Sequence, residues 1–108
     1  MTSSPMMVYV TVGNIEEAKK IAQNVVTAKL AACANILPSV TSIYHWEGDL
    51  QEDQETVMVL KTTSSNVPKL TDMIKDMHSY ECPCIVSIPI QGGNDDFLNW
   101  IDNETLSL

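Results

Sequence analysis

The order of hydrophobic periodicities constrains this chain more than any other feature: a strand-then-helix unit, a long alternating hairpin, then a helix-then-strand unit. Residues 7–12 are β-branched and aromatic, the pattern of a buried strand. Gly13 and Asn14 end it. Asn14 with Glu17 three residues on is a capping-box variant, and Glu16 adds favourable charge to the first turn. Ile15, Ala18, Ala22, Val25 and Val26 then fall on one helical face while Lys19, Lys20, Gln23 and Lys29 fall on the other, which predicts a helix to about Leu30.

The middle of the chain reads as strands. Residues 33–38 are a short apolar segment broken by Pro38 and Ser39, after which residues 40–46 alternate. Gly48 and Asp49 signal a turn, and residues 56–62 return. The acids between Glu47 and Glu55 mark an exposed hairpin end, a device that raises solubility and resists edge pairing. Pro68 suits the first turn of a second helix with Val67, Leu70, Met73, Ile74 and Met77 on its apolar face. Residues 85–90 form the last strand, and Pro89, which cannot donate to a ladder, predicts a free edge or a bulge there. Asn94 caps a short final helix carrying Phe97, Leu98, Trp100 and Ile101.

The resulting order, βαββαβ with a trailing helix, is the ferredoxin-like arrangement: an α+β fold with two helices on one face of an antiparallel sheet. A single short helix cannot cover the opposite face, so self-association is expected. Residues 1–6 are expected to be a disordered tail and 7–108 a single domain, a size at which one compact core forms.

Charge narrows the function. Fourteen acids against six basic residues give a net −8, and no arginine is present. A chain without the bidentate guanidinium fork, and this acidic, is a poor match for nucleic acid and for an anionic membrane surface. Residues 1–5 carry no positive charge and no long apolar stretch follows, so neither a signal peptide nor a membrane span is expected. Three cysteines are too few for a disulfide framework; read as reduced, they point to the cytoplasm.

The chemistry concentrates between His78 and Cys84, where an imidazole, a carboxylate and two thiols fall within seven residues. His78, Glu81, Cys82 and Cys84 are the candidate metal ligands, since thiolates suit Cu(I) or Zn and imidazole suits copper and zinc. The spacing is not that of a structural zinc site, which needs a second ligand pair. The plainer alternative makes both cysteines small apolar residues at a buried strand start. Cys33 reads as packing. Tyr44 and Trp46 share a strand face and are large enough to anchor a subunit contact. No nucleophile–base pair or phosphate loop stands out, so no enzymatic activity is expected.

Residues 29–35, 42–48, 60–63, 78–84 and 97–101 together resemble the CutA family, small proteins of divalent cation tolerance, over roughly residues 7–103. The resemblance implies a homotrimer with hairpins pairing between subunits, and a role in the response to metal ions that includes copper binding, with no required cofactor. The family's segment usually reads His-Pro-Tyr-Glu, a variable residue, then Pro-Glu. His78, Tyr80, Glu81 and Pro83 match it, whereas Ser79, Cys82 and Cys84 are this chain's own. Two other readings stay open. One is a trimeric small-molecule sensor resembling PII-like proteins, with an interface pocket of Glu47, Lys61, Tyr80 and Trp100. The other is a rigid trimeric scaffold that anchors a partner protein.

Overall fold

The computed structural model describes residues 3–107. Its elements run β1 (Pro5–Val12), α1 (Ile15–Thr27), β2 (Cys33–Trp46), β3 (Asp49–Thr63), a 3-10 turn (Ser64–Asn66), α2 (Val67–Met77), β4 (Ile85–Pro89) and α3 (Asp95–Asn103). The four strands form one antiparallel sheet in the order β2-β3-β1-β4, the ferredoxin-like topology. Strand alternation sends Val8, Val10, Val12, Met58 and Leu60 into the core, where they meet Ala18, Ile21, Ala22 and Val25 of α1 and Leu70 and Ile74 of α2. Each of the larger side chains contributes about 1.5–3 kcal/mol by leaving water.

Several element ends differ from the sequence expectation, each for a local reason. β1 begins at Pro5 instead of Met7, and Ser3 is already tied to the 3-10 turn, its Oγ accepting from the Ser65 N–H at 3.0 Å. The expected tail therefore shrinks; Met1 and Thr2 lie outside the described residues. α1 stops at Thr27 because Lys29 adopts a left-handed backbone (φ 59°). That turn folds Leu30 and Ala31 back into the core. β2 runs through Pro38 with a register shift between Leu37 and Val40, which an edge strand tolerates because proline's missing N–H faces no neighbour. β4 is the opposite edge, where Pro89 sits at its end.

The largest difference is in the hairpin. β3 starts at Asp49, so the acidic stretch is strand and not loop. Trp46 pairs with Asp49 across a two-residue turn in which Glu47 (φ 50°) and Gly48 (φ 85°) are both left-handed, the geometry that matches strand twist. β1 pairs with β3 only as far as Thr56. Beyond it, residues 40–46 and 49–55 pair only with each other and project as a two-stranded arm. The arm stretches the molecule to 44 × 25 × 23 Å, with a radius of gyration of 14.4 Å, against about 13 Å for a compact domain of this length.

Candidate functional site

The segment after α2 is held in place by its neighbours. His78 is buried, and its Nε2–H donates to the Thr11 carbonyl at 2.7 Å. Nδ1 accepts the Tyr80 N–H at 3.0 Å, which makes it the ring nitrogen without a proton. Glu17 of α1 grips the next residue with both oxygens, accepting from the Ser79 N–H (2.8 Å) and the Ser79 hydroxyl (2.9 Å). The same carboxylate lies 3.7 Å from His78 Nδ1. At the far end the Cys84 carbonyl accepts from the Thr11 N–H at 3.3 Å. Both ends of the segment are thus anchored on β1, which leaves Glu81 and Cys82 presented outward.

They are presented to a cavity. A space of about 610 Å³ opens between this segment and the arm, lined by Tyr80, Glu81, Cys82 and Cys84 on one side and by Ser42, Ile43, Tyr44, Trp46 and Glu55 on the other. The Tyr80 hydroxyl donates to Glu55 across it at 3.0 Å. Partial burial first, and that carboxylate second, push the Tyr80 hydroxyl up to about 12. Tyr44 donates to Asp53, and that hydrogen bond is the chief cause raising its hydroxyl above the ordinary value.

The expected metal ligands separate under this geometry. His78 has both ring nitrogens engaged by backbone, so it is a strut of the segment and not a free donor. Among the described residues no group of three or more His, Cys, Asp or Glu side chains gathers to hold an ion. The residues of one chain therefore do not fit a divalent cation, which calls for more donors than two. Cys82 and Cys84 are exposed, contrary to the buried packing alternative, while Pro83 between them is half-buried. Cys33 is half-buried on β2, paired in register with Lys61.

The four residues of the expected interface pocket lie apart. Tyr80 alone of them lines the cavity, and its acidic partner is Glu55 instead of Glu47, which sits in the arm's turn. Lys61 hydrogen-bonds Asn35 on the neighbouring strand. Trp100 stacks on Phe97, with ring centroids 5.4 Å apart, on α3. Tyr44 and Trp46, expected at a subunit contact, are 39% and 53% exposed in the single chain. Glu17 escaped the sequence reading as a site residue because it already had an explanation as half of a capping box. Asn14 does accept the Glu17 N–H at 2.8 Å, but the Glu17 carboxylate reaches the far segment instead of back to the cap.

Comparison with known proteins places this geometry among relatives. The family model described as CutA1 divalent ion tolerance protein matches residues 6–104. The chain is 43% identical to Protein CutA, chloroplastic, of Arabidopsis thaliana over 96% of its own length, spanning 57% of that relative. It is 44% identical to the divalent-cation tolerance protein CutA of Thermus thermophilus, covering 92% of this chain and 96% of that one. The structure of the periplasmic divalent cation tolerance protein CutA from Archaeoglobus fulgidus superposes with a TM-score of 0.90 at 41% identity, over 93% of this chain and 97% of that one. These relatives overturn the cytoplasmic expectation, since one is chloroplastic and another periplasmic. The physical reason is plain: a fold held by its core and not by disulfides is equally stable in either redox setting, so sparse cysteines do not report a compartment. Among the described residues no helix is long and apolar enough to cross a membrane.

Proposed function

The chain belongs to the CutA1 divalent ion tolerance family, and from that premise we propose that it serves divalent cation tolerance as a homotrimer without enzymatic activity. The projecting arm carries this reading. A two-stranded hairpin alone in water is marginal at best. This one also exposes large apolar side chains on both faces, Tyr44 and Trp46 on one, Ile43 and Leu50 on the other. Seating each arm against another copy supports the strands and removes those surfaces from water. The cavity beside the arm then becomes a boundary between copies, and donors too few in one chain to hold a divalent ion can be supplemented by a neighbour's.

The test uses cells lacking their own family member and challenged with raised Cu(II) or Zn(II) salts. Wild-type protein is expected to restore growth, and a Trp46→Asp/Ile43→Asp variant, monomeric by light scattering, is expected not to. Restored growth by a folded monomer would sink the assembly reading, and no restoration by wild type would sink the tolerance reading.

A further inference from the structure

A divalent ion does not fit the donors of one chain, yet two soft donors face one space. Cys82 and Cys84 are both exposed and both line the cavity beneath the arm. We propose that they form a two-coordinate dithiolate site for a thiophilic monovalent cation of the Cu(I) type, a site that needs neither His78 nor a second copy of the chain.

The backbone favours a chelate over a bridge. A residue before proline is driven to extended conformations, and Pro83 fixes its own φ. The burial pattern agrees: Cys82 and Cys84 face out while Pro83 and Ile85 are half-buried. Two residues of such chain separate the Cα atoms by roughly 6–6.6 Å, near the far end of what a disulfide tolerates. A metal between two sulfurs adds two bonds of about 2.3 Å each, which relieves that closure. The segment is also organised before any ion arrives, tied to β1 at His78 and Cys84 and to α1 at Ser79, so little ordering entropy opposes binding.

Charge and softness select the ion. Two thiolates and a monovalent ion leave a single negative charge, and each Cu(I) bound releases two protons as two S–H bonds give way to two S–Cu bonds, with no change in oxidation state. Zn(II) wants four donors in a tetrahedron. The remaining donors lining this cavity include the carboxylates of Glu55 and Glu81, hard ligands of the wrong kind for Cu(I), and Glu55 already accepts from Tyr80. Cys33 lies outside the cavity lining, on β2.

The experiment is an anaerobic titration of reduced protein with Cu(I) against a chromophoric Cu(I) chelator, with proton release followed in weak buffer. Wild type is expected to take one Cu(I) per chain and release two protons. Cys82→Ser and Cys84→Ser are each expected to weaken binding more than about 100-fold, since outer-shell changes alone already cost 10–100-fold. Cys33→Ser is expected to match wild type, and a stoichiometry of one Cu(I) per chain separates this site from the assembly reading, in which a neighbouring copy supplements the donors. Circular dichroism identifies any variant that has lost its fold, and each cysteine is tested singly so that one folded variant suffices. No competition by wild type, equal loss in Cys33→Ser, one Cu(I) per two chains, or Zn(II) held as tightly as Cu(I) would each overturn the proposal.

Discussion

Tyr80 shows how a single side chain ties the segment to the arm. Its hydroxyl donates to Glu55, and partial burial together with that carboxylate raises its ionisation to about 12 from an ordinary 10. Because the folded value lies above the unfolded one, the folded state keeps the proton. The resulting stabilisation is present in full below pH 10 and is lost as pH rises through 12. The melting-temperature advantage of wild type over Tyr80→Phe is therefore expected to shrink across that window. Absorbance titration of Glu55→Gln should show the Tyr80 component falling back from about 12. A Tyr80 component that stays near 12 in that variant would remove Glu55 as the partner. The chemistry of this segment was visible in the sequence as a cluster of donor types, but its division of labour was not. His78 looks like a ligand by composition, and only its two backbone hydrogen bonds make it a strut. Whether a side chain faces solvent or backbone depends on contacts 67 residues away in sequence, which local spacing does not encode.

At the scale of elements, the two strand–helix units were legible because their periodicity is produced by a core they bury. Val8, Val10 and Val12 alternate, and Ala18, Ile21, Ala22 and Val25 recur at helical spacing, for that reason alone. The arm was misread at its acidic strand because Asp49, Glu52 and Asp53 stay exposed in this chain and so carry no such signal. What specifies the arm is its turn. Gly48 has open space where a Cβ would stand, so alanine there meets no clash and costs only the strain of φ 85°, about 1 kcal/mol. Glu47, also left-handed, is a residue the conformation disfavours. Glu47→Asn is therefore expected to stabilise by about 0.5–1 kcal/mol and Gly48→Ala to destabilise by a similar amount. Denaturant unfolding measures both. Equal midpoints for the two variants would show that the turn does not set the arm's register.

At the scale of the whole molecule, two opposing terms decide whether copies associate. Apolar burial on the arm and on the half-covered sheet edge, where Val86 and Ile88 are 48% and 46% exposed, favours it. Like charge opposes it, since every copy carries −8. Screening acts on the second term and leaves the first intact. At about 0.15 M salt the Debye length is near 8 Å, against about 30 Å at 0.01 M. Salt is therefore expected to tighten the assembly, opposite to the response of one held by ion pairs across the interface. Gel filtration with light scattering at low protein concentration should give a mass that rises toward the trimer between 0.01 and 0.15 M salt. Trp46→Asp should remain dissociated at both, because it replaces an apolar contact with a further negative charge. A wild-type mass that falls as salt is added would show that charge pairs, and not the apolar arm, hold the copies together.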